Sequence, residues 1–262
     1  MNPLIGPELG FALTGLIRLP VALLLGAIVG SFLATIVSRW PRGKSVLYGR
    51  SRCDGCARPL RPVELIPLLS GWLSRGKCHS CGAPIDPIHP RIELAAALIC
   101  AVCVMLFPLP AALLLAVGGW LLLTLAVLDA RHFWLPDALT FTLAAIGLTL
   151  GDWFLPASFQ ARVIGAALGA GLLVAISLGY RRLRGRDGLG LGDAKLLGAI
   201  GAWLGWTMLP LVLLVASVTA LFWALVMKRR GRVMDATTRV PLGSFLCIAV
   251  VPAWLTGLWL GL

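Results

Sequence analysis

The chain has 262 residues, of which 59% are hydrophobic and 13% charged, with a mean hydropathy of +0.92. A soluble domain must cover itself with polar surface, and this composition leaves too little, so an all-α polytopic membrane protein is expected. The formal charge of +12 invites a nucleic-acid partner, but the placement of those charges relative to the apolar runs explains them as topology, and no nucleic acid is expected.

Runs long enough to cross about 30 Å of hydrocarbon at ~1.5 Å per residue predict eight transmembrane helices, near 20–38, 92–107, 111–128, 138–155, 163–180, 194–208, 211–227 and 242–260. The first eighteen residues hold Glu8 and one basic residue, Arg18, just ahead of the apolar run. That pattern does not fit a cleavable signal peptide, so the first helix, in a segment 1–38, is expected to stay in the mature chain.

A polar insert follows over 39–91, and a seven-helix body over 92–262 completes the expected organisation. About fifty residues are too few to rely on an apolar core, and domains of that size usually need a staple. Cys53, Cys56, Cys78 and Cys81 supply one as two CxxC pairs, CDGC and CHSC. This is knuckle spacing for four thiolates around one tetrahedral zinc, which would be structural because no coordination position stays open. An empty or redox-active thiol cluster is the alternative. His79 is read as solvated, while Cys100, Cys103 and Cys247 are read as small apolar helix residues.

Ten Lys or Arg fall between Arg39 and Arg91, with more at Arg131, at Arg181 to Arg186, at Lys195 and from Lys228 to Arg239. With eight spans all these segments share one side, which the positive-inside rule makes cytoplasmic; Arg18 and Arg162 remain for the other.

Ionisable groups at membrane depth are costly and tend to face the bundle interior. Asp129 ends the third span in LAVLDARHFWLPDALT, and Asp193 opens the sixth in GLGLGDAKLLGAIGAWLGW. Since the third span runs inward and the sixth outward, both carboxylates are expected at the cytoplasmic level. Such a pair can share one proton, so that the charged member activates water while the protonated member hydrogen-bonds a peptide carbonyl. Gly188, Gly190 and Gly192 lack side chains that would block an extended peptide. Lys195 is expected either to hold Asp193 charged or to snorkel, and Asp137 to favour the start of the fourth helix. Glu93 is expected to pair with Arg91 or Lys195. The structural alternative makes Asp129 a loop cap and Asp193 a helix N-cap. A scaffold with a zinc docking insert, or an ion-coupled transporter, is the competing function. GLGLGD lacks the ending of a phosphate loop, and no motif suggests a serine or cysteine partner for His79, His89 or His132.

GSFLATIVSRWPRG, the two knuckles, IPLLSGWLSRGKCHSC, HPRIEL, the D…LPD string and GLGLGDAKLLGAIGAWLGW, in that order, resemble the type IV prepilin peptidases. RVPLGSFL resembles that family's last motif, with Leu242 and Ser244 where the family usually has phenylalanine and proline. The resemblance implies a GxGD-type aspartic peptidase at the cytoplasmic face of the bacterial inner membrane, with Asp129 and Asp193 matching the catalytic pair. It further implies type IV prepilin or type II secretion pseudopilin substrates, cut after the glycine that ends a short basic leader. N-methylation of the new terminus with S-adenosylmethionine is implied in the same way.

Overall fold

A computed structural model describes residues 7–46, 48, 51–53, 55–74, 76–185, 190–231 and 239–260; Gly188 lies outside them. Among the described residues the chain is helical, with two isolated bridges, Arg52 with Pro59 and Lys77 with Pro84, and no strand. It divides into two compact units, Met1–Thr124 and Leu125–Leu262.

The first unit holds α1 (Pro7–Arg39), the short α2 (Leu69–Leu73), α3 (Ile88–Leu106) and the first part of α4 (Leu109–His132). Glycines bring α1 and α3 into backbone contact: a Cβ at Gly26 would lie 2.5 Å from the Ala96 carbonyl oxygen, and one at Gly30 would lie 2.7 Å from Glu93 Cα. Close approach of this kind is what four-residue spacing of small residues allows, and it places Cys100 against Gly26 as a packed apolar residue. Trp120 fastens α4 to α3 by donating its indole N–H to the Ala96 carbonyl at 3.0 Å. Glu93 is buried and accepts the Leu68 backbone N–H at 2.7 Å. Its carboxyl group thus holds the loop ahead of α2, where Leu68 takes a φ of 63°.

The second unit holds the end of α4, then α5 (Asp137–Phe154), α6 (Phe159–Arg184), α7 (Leu191–Leu204), α8 (Leu209–Arg229) and α9 (Leu242–Leu260). α6 starts at Ser158, whose side chain accepts the Ala161 N–H, and stops at Gly185 with φ 66°. Serine caps and left-handed glycine stops are the residues those positions favour. α6 and α7 meet through Gly165 against Gly201 and through Gly169, whose Cβ would lie 2.6 Å from the Leu197 carbonyl oxygen. Trp203 ties α7 to α5 through a 2.7 Å bond to the Leu143 carbonyl. Arg162 is fully buried and gives its guanidinium to Asp152 and to the Ala157 carbonyl, so no charge is stranded in the packing.

The predicted runs fall on helices, that over 194–208 on α7 and the 3-10 turn after it, and among the described residues six helices are long and apolar enough to cross a membrane. α5 carries Asp137 and Asp152 near its two ends, which lowers its apolarity. α7 has 14 residues, or ~21 Å of helix, short of a full crossing; it ends at Gly205, whose φ of 76° turns the chain into a 3-10 turn, Trp206–Met208. Exposed Leu24, Ile28 and Phe32 on α1, Leu168, Leu172 and Ile176 on α6, and Leu214, Leu221 and Phe222 on α8 make faces suited to lipid.

Candidate active site

α4 continues one turn past its predicted end, so Asp129 lies inside the helix, not in a loop. Only 5% exposed, its carboxylate accepts two hydrogen bonds from Ser244 at Oδ2, from the backbone N–H at 2.7 Å and from the hydroxyl at 3.0 Å. Asp193 occupies the first turn of α7, but Gly190 is the capping residue and Asp193 donates its N–H to the Gly190 carbonyl at 3.1 Å. The simple N-cap alternative therefore does not describe it.

Both carboxylates face the start of α9. Ser244 there gives its N–H to Asp129 Oδ2, and a Cβ at Gly243 would lie 3.0 Å from the same oxygen. The physical reason is general: the first N–H groups of a helix have no partner within it and carry a partial positive charge, so they seek an acceptor. Gly243 must lack a side chain here, because a Cβ would lie 2.9 Å from Leu135 Cδ1 and 3.0 Å from Asp129 Oδ2. Leu135 also meets Gly192, where a Cβ would lie 3.2 Å from Leu135 Cβ. One leucine thus packs against both glycines at the starts of α7 and α9. Gly192 is consumed by that packing, whereas among the described residues a Cβ at Gly190 would meet no side chain but Asp193, whose Oδ2 would lie 3.4 Å away.

Lys195 is placed elsewhere than on Asp193. Its ammonium lies 2.7 and 2.9 Å from the two carboxylate oxygens of Asp137 and 5.8 Å from the Phe141 ring centre. Asp137 opens α5 after Pro136, as its sequence context indicated. Leu135, Gly243 and Ser244 had no assigned role in the sequence; the GS of RVPLGSFL at the head of the last apolar run was the available signal.

Cys53, Cys56, Cys78 and Cys81 form the second candidate site, with all four sulfurs within 4.8 Å of one another and Cys53 to Cys81 at 3.7 Å. Tetrahedral thiolate ligands at ~2.3 Å from a metal stand ~3.8 Å apart, so this set fits such an ion. The two knuckles repeat one turn: Ala57 N–H bonds to the Cys53 carbonyl and Gly82 N–H to the Cys78 carbonyl, with φ values of 56° and 70°. Backbone amides of Cys81 and Ser80 lower the Cys78 thiol to about 6 against the opposing effect of burial. The Ala83 amide lowers Cys81, but burial and the thiols of Cys56, Cys53 and Cys78 outweigh it and push Cys81 up to about 11. Four thiols this close ionise together only around a cation.

Comparison with known proteins agrees with this organisation. Residues 24–107 match the bacterial peptidase A24 N-terminal domain and residues 116–225 the type IV leader peptidase family. A prepilin leader peptidase/N-methyltransferase of Burkholderia pseudomallei is 38% identical, with 92% of this chain and 86% of that one covered. Proteins of the same description from Pseudomonas aeruginosa, at 34% identity over 90% of this chain and 89% of the relative, and from Aeromonas hydrophila, at 37% over 82% and 73%, are similar too. No solved structure matches the chain. Similarity at this coverage decides between the peptidase and the scaffold or transporter: the chain is a membrane peptidase that belongs to the type IV leader peptidase family.

Proposed function

We propose that Asp129 and Asp193 are the catalytic pair of this peptidase, and that it removes the basic leader of type IV prepilins or type II secretion pseudopilins at the cytoplasmic face of the inner membrane. The observation that carries the reading is the start of α9, where Ser244 binds Asp129 through its N–H and hydroxyl and where Leu135 packs against both Gly243, beside Asp129, and Gly192, beside Asp193. Two carboxyl groups so placed hold one proton between them. The charged member takes a proton from water as the oxygen attacks the scissile carbonyl, and the protonated member hydrogen-bonds the carbonyl oxygen. Collapse of the tetrahedral intermediate breaks the C–N bond and passes a proton to the leaving amine. Bare backbone at Gly190 gives an extended peptide room to approach Asp193.

Zinc is the metal best suited to four cysteine thiolates, and with no open position it would hold residues 39–91 folded as the cytoplasmic insert ahead of the peptidase body, 92–262. The relatives' description as N-methyltransferases supports a second activity on the new N-terminus, with S-adenosylmethionine as methyl donor. Mass spectrometry of a processed pilin tests it: an added methyl is expected, and an unmodified amine overturns this part alone.

The central test incubates membranes carrying the parent or Asp193→Asn protein with a candidate prepilin and follows the leader by gel shift. Cleavage by the parent and none by the variant is expected; cleavage by both removes Asp193 from the chemistry.

A further inference from the structure

We propose that Ser244 is a positioning residue for Asp129, fixing one oxygen of the carboxylate and serving as its partner in both protonation states. The inference rests on the reading of Asp129 as one of the catalytic pair. Two bonds from one residue converge on Oδ2, the backbone N–H at 2.7 Å and the hydroxyl at 3.0 Å, and set the plane of the carboxylate while leaving Oδ1 without a bond from Ser244. The same hydroxyl lies 2.8 Å from the Ala126 carbonyl oxygen, one turn before Asp129 on α4.

A hydroxyl has one proton and can also accept, so these two neighbours cannot both be given that proton at once. When Asp129 is charged, the proton points to Oδ2. When Asp129 carries a proton at Oδ2, the carboxyl donates to Oγ and the hydroxyl turns to Ala126. Neither state leaves a buried polar atom unpaired, which would otherwise be costly. In this chain Ser244 supplies a partner that suits either protonation state of the carboxyl group and, itself only 7% exposed, is sheltered from water that could replace it.

The test uses the purified full-length protein and a synthetic peptide carrying a basic leader that ends in glycine, followed by a prepilin N-terminal stretch. It compares kcat and KM for the parent, Ser244→Ala, Ser244→Thr and Asp129→Asn. Loss of one hydrogen bond to a charged group predicts a fall in kcat of about tenfold for Ser244→Ala, with KM held to within about twofold because the bond is not to substrate. Ser244→Thr, which keeps both donors, should return kcat to near the parent value. Parent-like kcat in Ser244→Ala overturns the proposal, as does a threonine variant that is folded yet as slow as alanine. If the alanine variant is lost from the membrane, Ser244→Cys, similar in shape with a weak donor, must show the same fall in kcat, and parent-like turnover there overturns it. Asp129→Asn keeps the two readings apart: if it cleaves, the catalytic assignment fails and this inference with it, whereas an inactive Asp129→Asn beside an unimpaired Ser244→Ala removes Ser244 alone.

Discussion

The four cysteines and the two aspartates are both clusters of ionisable groups, but they are assembled in opposite ways. Each knuckle is closed by its own turn, with partners three to five residues apart such as Cys53 N–H to the Arg58 carbonyl and Cys78 N–H to the Ala83 carbonyl. The aspartates are brought together by three helices, and Asp129 is held by a residue 115 positions away. A site made of local turns announces itself by spacing. A site made of helix ends shows up only as polar residues in apolar surroundings, and its supporting groups stay hidden.

The contrast can be broken at several points. The largest effect is expected from the aspartates: Asp129→Asn or Asp193→Asn should each lower leader cleavage by about 10³-fold while membrane levels, followed by immunoblot, stay at the parent value. Retained cleavage in either would reduce the pair to structural carboxylates. In the cluster, Cys56→Ser should abolish metal retention measured by elemental analysis and open the insert to proteolysis, since structural zinc contributes ~10–16 kcal/mol of apparent binding free energy in small domains. A full metal complement in the variant would remove Cys56 from the ligand set.

Smaller changes probe how the helix starts set the carboxylate. Gly243→Ala forces a Cβ to 3.0 Å from Asp129 Oδ2, and the displaced carboxylate should reduce kcat by about 10- to 100-fold, at a stability cost of ~1–3 kcal/mol. Parent-like kinetics would show that α9 does not set the carboxylate. The smallest effect belongs to Lys195→Ala. Its pair with Asp137 is 40% and 57% exposed at the two side chains, so thermal unfolding should move by no more than ~0–1 kcal/mol; a larger loss would mean the pair braces α5 against α7.

Much of this was legible in the chain itself. The apolar runs marked the helices because hydrocarbon thickness imposes a length, and Asp129 and Asp193 stood out as acidic residues at the ends of two of those runs. What escaped was tertiary. Arg131 and His132 lie past the apolar run that ends at 128, so apolarity alone stops short of the last turn of α4. Glu93 holds the Leu68 amide, a contact that charge pattern does not indicate; Lys195, two residues from Asp193 in the chain, sits on Asp137, 58 positions away. Ser244 stood out only as a departure from a family pattern, because a helix start that donates to a distant carboxylate leaves no periodic trace. A proline in its place offers neither a backbone N–H nor a hydroxyl.

The seam between α6 and α7 has a consequence for anyone screening variants. Gly165 and Gly201 touch backbone to backbone, and no flexible side chain lies between them to yield. Gly201 stands eight residues beyond Asp193, ~12 Å along the helix, yet a single methyl added there must push the whole of α7 aside and carry the aspartate with it. In a saturation screen scored on leader removal, such glycines would score like catalytic residues, and only a separate readout of fold would tell the hinge pin from the blade.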